Sequence, residues 1–522
     1  MKDISFEEFA TKDGQLASVD VATLKKLPAE YPDHPWAPIT DAQRAETCFL
    51  LDETSILNIP MPKTPAEEVA LVNNFLNGMR KLFTPENNWT NLAMLDTSMD
   101  YCAQCNSCAE ACHLFEATNG HELYRPNFRS EIFRRIYNKY VKNEPFAKWR
   151  FGDVDLTWKT VVRLGEMAYR CNMCRRCAQV CPIGVDNGLI SRELRKLFSQ
   201  EMGFAPRELH DKGTMLQMEV GSSTGLSPSV VQETVEFIDE DYSESTGFEF
   251  HTPWDKEGAE ILLLHNAGEI MAWPENIAAF SIIFEAAGLS WTLSSELAGY
   301  DSVNYGLFYD DVQAARILAM QAKAAKKLGV KRIISGECGH AHRSLLHARI
   351  AEIPRESFLP LLRDLVLGGK LKLDPSRNDF PVTLHDPCNV VRRLGIVKPQ
   401  REILRAICPQ FREMAPNGVD NYCCGGGSGF AIMTRNNIEN WRMNITGRKK
   451  MDQIFGAFSE CLGPETRKYV CAPCSNCKGQ IREMLEKGGV QEQYNIHYGG
   501  LVELVVNAMT DLNPGFIKWE EE

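Results

Sequence analysis

Cys102-Ala-Gln-Cys105-Asn-Ser-Cys108-Ala-Glu-Ala-Cys112 and, 58 residues further on, Cys171-Asn-Met-Cys174-Arg-Arg-Cys177-Ala-Gln-Val-Cys181-Pro182 are two copies of one pattern, four cysteines spaced by two, two and three residues. They hold eight of the 18 cysteines in a chain of 522 residues, a length that divides into about three units at roughly 150 residues each. Met1 to Pro28 has neither an unbroken apolar core nor a twin arginine, so no export signal is read and a cytoplasmic location is expected. In a reducing compartment, thiols in this number point to metal or redox chemistry rather than to a disulfide framework. A net charge of -12 argues against nucleic-acid binding. No apolar run approaches the roughly 20 residues that span a bilayer. Any membrane link is therefore expected through a partner, with the chain peripheral on the cytoplasmic face.

The spacing is that of bacterial dicluster ferredoxins, in which three thiolates of one run wrap a cluster and the fourth reaches across to its neighbour. Cys102, Cys105, Cys108 and Cys181 are thus expected on one 4Fe-4S cubane, and Cys171, Cys174, Cys177 and Cys112 on a second. A zinc site is the plain alternative, disfavoured by eight cysteines in two copies of this run. His113 stands where the second copy has Pro182. Ser130 to Val141 carries apolar residues at helical spacing, and Leu189 to Phe198 continues as helix, so residues 95–200 read as an α-helical ferredoxin domain. From His113 to Gln200 there are 16 Lys and Arg against 9 Asp and Glu. Arg134, Arg135, Arg175, Arg176, Arg192, Arg195 and Lys196 read as a solvated helix surface, or as a face for an acidic partner. Residues 1–94, proline-rich and then helical from Glu67 to Phe83, read as a partner-binding arm. The acidic, Ser-rich stretch within 201–250 reads as a linker.

From residue 251 short apolar runs alternate with helices: Ile261 to Leu264, Arg332 to Ile334, Val382 to Leu384 and Tyr469 to Val470, with Asp311 to Leu328 as one helix. The fold class is α+β multidomain, with a duplicated α/β region after the helical domain. Arg332-Ile-Ile-Ser-Gly-Glu-Cys338-Gly-His340 parallels Lys468-Tyr-Val-Cys-Ala-Pro-Cys474-Ser-Asn476, and Leu262-Leu-Leu-His-Asn266 parallels Val382-Thr-Leu-His-Asp386. Residues 251–380 are a degenerate repeat and 381–522 a complete one. The complete repeat holds Cys388, the pair Cys423-Cys424 followed by three glycines, and Cys471-Ala-Pro-Cys474-Ser-Asn-Cys477. Adjacent cysteines do not readily ligate one iron of an ordinary cubane, and the glycines would let backbone approach a bulky inorganic group.

The run from His385-Asp-Pro-Cys388 through Cys423-Cys-Gly-Gly-Gly-Ser-Gly429 to Pro473-Cys-Ser-Asn-Cys477 resembles the cysteine-rich CCG domain of heterodisulfide reductases and their relatives. The resemblance implies a noncubane 4Fe-4S cluster on Cys388, Cys423, Cys424, Cys474 and Cys477, with Cys471 a further candidate, at which disulfides are cleaved or formed. Two cubanes ahead of one complete and one degenerate repeat look most like the DsrK subunits of sulfite-reductase-associated membrane complexes. That likeness implies exchange of electrons between a membrane cytochrome b subunit (DsrM-like) with the quinone pool and the disulfide or trisulfide of a DsrC-type sulfur-carrier protein. The same layout serves methanogen heterodisulfide reductase and the electron-relay subunits of glycolate or lactate oxidation, and a scaffold subunit with an inert third site is a further alternative. Alignment of Cys338 with Cys474 places Cys338 and His340 opposite the cluster as catalytic candidates, a helix dipole favouring the thiolate and the imidazole moving a proton. A buried thiol and a hydrogen-bonded histidine are the plain alternative. Cys48, Cys408 and Cys461 read as ordinary thiols, and His265 and His385 as structural hydrogen-bonding groups.

Overall fold

Helix α1 (Pro65–Leu82) starts where Thr64 accepts the Glu67 N–H and proline takes the first turn, and it ends on Arg80 and Lys81, which complement its dipole. The computed structural model describes residues 51, 56–57, 59, 61–88, 90–297, 305–345, 353–433 and 441–519. Phe75, Leu76, Met79 and Leu82 of α1 are buried in the core formed by α2 (Pro126–Ile136), α3 (Trp158–Ala168) and α4 (Asn187–Lys196). Upstream of α1, the Ile56 and Leu57 N–H groups donate to the Glu166 carboxylate, itself paired with Arg170 at 2.7 Å in full burial. Ile56, Leu57, Ile59 and α1 are therefore part of the helical core rather than an arm. Cys48 and the rest of residues 1–50 lie outside the described residues.

The expected linker is also helical. Helix α5 (Pro228–Thr246) is capped by Ser227 and sends Val231, Val235, Ile238 and Tyr242 into the core of the α/β region. Glu233, Glu236, Glu240, Asp241 and Glu244 occupy the outer face while Asp239 turns inward to Thr252, so composition alone hid an amphipathic helix.

The α/β region holds two parallel sheets with one topology. The first has strand order β2-β1-β3-β4, built from β1 (Ile261–Leu264), β2 (Trp291–Thr292), β3 (Arg332–Ser335) and β4 (Arg355–Ser357). The second has order β6-β5-β7-β8, from β5 (Val382–Leu384), β6 (Phe411–Arg412), β7 (Lys468–Cys471) and β8 (Ile496–Gly499). Every strand pair is parallel, and Ile261 faces Arg332 as Val382 faces Tyr469. Helices α6 (Pro274–Ala286), α7 (Asp311–Leu328), α8 (Gly339–Ser344), α9 (Ser475–Lys487) and α10 (Leu501–Ala508) complete the elements that place the site. Helix α6 packs on α10, and Ile261, Ile334, Val382, Tyr469 and Leu504 share one apolar core that runs through both repeats.

Candidate metal centres

Both four-cysteine runs fold into the same loop. Gln104 and Asn106 in the first, and Met173 and Arg175 in the second, have left-handed backbone, at φ 53, 62, 49 and 62 respectively. Such alternation turns successive N–H groups into a concave nest, the shape an anionic inorganic cluster needs. A short helical turn follows in each, at Ser107–Glu110 and Arg176–Gln179. Cys112 lies within electrostatic reach of Cys171 and Cys174, and Cys177 in turn feels Cys112, so the last thiol of the first run faces the second loop. Cys102 and Cys105 stand with Cys108 at the molecular edge, Cys105 exposed, beside a cavity of 290 Å³ lined by Cys102, Asn106, Arg125 and Arg135. The donor sets fit iron–sulfur clusters by residue type, number and backbone shape.

The second loop is clamped to the complete repeat. Asn172 Nδ2 donates to the Gly425 carbonyl at 2.8 Å, and its Oδ1 lies 3.1 Å from His113 Nε2. Arg195 donates to the carbonyls of Cys171 at 2.8 Å and Ser428 at 3.0 Å. Arg392 donates to those of Cys174 at 2.6 Å, Asn421 at 2.7 Å and Val419 at 2.8 Å. Arg192 and Lys196 pair with Asp311 at the start of α7, and Arg134 donates to the carbonyls of Ser98 and Met99. These cations are buried fasteners, which corrects the reading of a solvated or partner-facing basic surface for Arg134, Arg192, Arg195 and Lys196. His113 likewise takes the proline position in order to reach Asn172.

At the third site the thiols converge. Cys423 lies within electrostatic reach of Cys388, of Cys424 and, across the domain junction, of Cys174, and Cys424 Sγ lies 3.3 Å from Cys477 Sγ. His385 joins Cys424 and Cys477 with ligand atoms all within 4.8 Å of one another, and all three side chains are buried. The sequence reading of His385 as structural missed this, although its place in His-Asp-Pro-Cys was the available signal. Neither of its ring nitrogens meets a nitrogen or oxygen partner; the neighbours are sulfur. Cys471 points instead into the apolar core beside Cys408 and is not brought to the site. The glycines act differently from expectation. A Cβ on Gly425 would lie 2.6 Å from Thr446, and one on Gly426 would lie 2.8 Å from Gln480, so the loop needs them to pack against its own domain.

Cys338 and Cys474 meet head to head. The Cys338 N–H donates to the Gly336 carbonyl at 2.7 Å and the Cys474 N–H to Ala472 at 2.6 Å, the same turn twice. The Gly339 N–H then donates to Cys474 Sγ at 3.2 Å, the Ser475 N–H donates to the Glu337 carbonyl at 2.6 Å, and Asn476 Nδ2 meets His340 Nδ1 at 2.8 Å. Duplication thus brings both candidates to the third site, but not in the expected electrostatic state. Burial pushes the Cys338 thiol up to about 12, assisted by Cys474, and overrides the short helix α8. Burial, with Arg343 nearby, holds His340 down to about 3, so its imidazole is neutral.

Two domain families match these units. Residues 98–185 match the 4Fe-4S dicluster domain and residues 382–482 the cysteine-rich domain of CCG type. Among curated proteins, the chain is 28% identical over 468 residues to the Hdr-like menaquinol oxidoreductase iron-sulfur subunit 2 of Archaeoglobus fulgidus, covering 79% of this chain and 80% of that one. It is 22% identical over 377 residues to a subunit of the dihydromethanophenazine:CoB--CoM heterodisulfide reductase of Methanosarcina barkeri, covering 66% and 82%. It is 22% identical over 418 residues to a subunit of the fumarate reductase (CoM/CoB) of Methanothermobacter marburgensis, covering 78% and 72%. These likenesses support an iron–sulfur oxidoreductase of heterodisulfide-reductase-like kind with an electron-transfer role. Among the described residues no helix is long and apolar enough to cross a membrane.

Proposed function

We propose that electrons move along one line: an outer 4Fe-4S cubane on Cys102, Cys105, Cys108 and Cys181, an inner cubane on Cys171, Cys174, Cys177 and Cys112, and a noncubane 4Fe-4S cluster on Cys388, Cys423, Cys424, Cys474 and Cys477. The observation that carries this reading is the junction where Arg392 bonds the carbonyls of Cys174 and Asn421 and Asn172 bonds that of Gly425, which joins the second ferredoxin-type loop to the loop of Cys423 and Cys424. When bound, the clusters supply one-electron steps and, at the third site, a surface that takes up thiolate sulfur. The protein excludes water there by burying Cys388, Cys423, Cys424, Cys474 and Cys477, and it turns Cys338 and His340 of the degenerate repeat toward them.

The substrate is a disulfide or trisulfide, in the DsrK-like reading that of a DsrC-type sulfur-carrier protein. Cys102, Cys105, Cys108 and Cys181 would hold the group nearest a membrane cytochrome b subunit, and that group would supply one-electron exchange with its quinone at the cytoplasmic face. The menaquinol oxidoreductase named for the Archaeoglobus relative supports a quinone-linked partner. Redox titration of the holoprotein followed by electron paramagnetic resonance tests the whole line. Three centres are expected, of which only the third changes its signal when disulfide or thiol is added. A third signal indifferent to thiols favours the electron-relay reading, which likeness to a fumarate reductase component also fits.

A further inference from the structure

Beside Cys388 and the degenerate repeat, two guanidinium groups lie without a carboxylate partner among the described residues. Arg343, on α8, is buried, with its Nε unpartnered, its Nη2 3.8 Å from the Met173 sulfur and its head 5.6 Å from the Phe308 ring centre. Arg393 follows Cys388 by five residues, is partly exposed, and also has an unpartnered buried Nε. Each lies within electrostatic reach of the other's neighbourhood: Arg343 feels Arg393, and both feel Arg192 and Cys388. Arg192 is neutralised by Asp311 and Glu193. Asp186, an acid within reach of Arg393, is taken by Arg175 at 2.6 Å and the Leu189 N–H at 2.9 Å. His340 completes the group with an unpartnered Nε2, its ring held edge-on to Phe308 at 4.4 Å. Arginine is seldom buried unless paired, and Arg343 has only a sulfur and an aromatic ring beside its guanidinium.

We propose that Arg343 and Arg393 form the receptor for an anionic group, carboxylate-like in chemistry, carried by the thiol substrate close to its reacting sulfur. The inference rests on the sulfur–sulfur reading of the third site and names the class of substrate it takes. Arg393 opens to solvent and makes the first contact; Arg343 lies deeper, between Cys388 and the His340–Phe308 pair, and fixes the bound end. A guanidinium fork suits a carboxylate or sulfonate, and water exclusion around Arg343 strengthens the contact. The two residues come from different repeats, so the receptor exists only because the duplicated halves face each other.

The test uses the iron-loaded full chain and compares 3-mercaptopropionate with 2-mercaptoethanol, two thiols alike except for the charged end, by the change each makes in the third centre's paramagnetic signal. In wild type the carboxylate thiol is expected to bind about tenfold tighter or more, the factor that one buried charge-assisted hydrogen bond supplies. Arg343→Gln and Arg393→Gln are each expected to lose that preference while keeping iron content and the response to 2-mercaptoethanol. Arg343→Lys should restore part of it. Equal binding of the two thiols by wild type, or a preference that survives in both glutamine variants, overturns the proposal, as does a shifted potential with the preference intact, because the charges would then serve the cluster alone. Calorimetric titration with sodium sulfate separates the two readings. Arginine-dependent sulfate binding with no thiol response sinks the sulfur chemistry and leaves the anion site; thiol responses without charge preference or sulfate binding sink the anion site alone.

Discussion

The two repeats of the α/β region have the same strand order, the same parallel register and the same turn at Cys338 and Cys474, yet opposite contents. The second repeat gathers Cys388, Cys423, Cys424, Cys474 and Cys477; the first presents at equivalent places a single cysteine, Cys338, and an alanine, Ala341, where Cys477 would fall. Duplication fixed the scaffold, since a strand–turn–helix unit buries its core whether or not the turn carries ligands. The turn of the copy without the full ligand set faces the turn of the other. The comparison teaches that the degenerate half is a wall of the site, built to the same dimensions as the half it covers.

The sharpest way to break the comparison is to make the second repeat resemble the first. Cys424→Ser should abolish the third centre's signal completely while both ferredoxin-type signals remain, measured by iron content and paramagnetic resonance. The reverse change, Cys338→Ala, should leave all three centres in place; loss of the third centre there would promote Cys338 to a ligand.

A smaller but specific effect is expected at the junction. Arg392→Gln removes charge-assisted bonds to the Cys174, Val419 and Asn421 carbonyls and should cost about 2 kcal/mol of stability. It should also slow reoxidation of the inner centre by disulfide, leaving the outer centre's reduction unchanged in rapid-mixing experiments. Gly339→Ala probes the contact between repeats directly. Its Cβ would lie 2.6 Å from Cys474 Sγ, so overpacking of about 1–3 kcal/mol is expected, with partial loss of the third signal. Full occupancy in that variant would mean that the facing turns separate when the centre is filled.

Much of this was legible in the chain because it depends on local spacing. The loops of the two four-cysteine runs, strands β1 and β5 and helix α7 stand at the residues where periodicity put them. The edge strands β2 and β6 are two residues long and left no pattern to read. Helix α5 was hidden by an acidic outer face, and the core role of α1 by the proline-rich residues before it. What spacing cannot carry is burial. Cys338 at a helix start and His340 beside it suggested an activated thiolate and a titrating base, but desolvation among Met173, Leu307 and Phe308 reversed both. The roles of His385, Asn172 and Arg392 arise only when segments distant in the chain meet, as Arg392 meets Cys174.

The smallest expected effect concerns the position before each turn cysteine, Glu337 in the first repeat and Pro473 in the second. Glu337 reaches into the other repeat, where its carboxylate accepts the Leu501 and Val502 N–H groups at 2.7 and 3.1 Å, at the start of α10, and also accepts the Asn276 amide at 2.8 Å. Lys478 stands 3.8 Å away and Glu503 and Glu269 face it as well. Burial raises this carboxyl to about 7, with Lys478 opposing and Glu503 and Glu269 assisting. An acid whose folded value lies above its unfolded one binds more protons in the folded state between the two, so the stability it contributes is full at low pH and is lost as pH rises through the folded value. Wild type should therefore lose thermal stability between about pH 5 and about pH 8 in part through this group, and Glu337→Gln, which keeps an acceptor for one N–H, should flatten that slope. The comparison is made on the difference between the two profiles, because Asp239, raised to about 6 mainly by burial, adds a slope of the same sign in both proteins. Parallel profiles would assign the pH dependence to other acids and leave Glu337 as a helix cap whose proton is indifferent to folding.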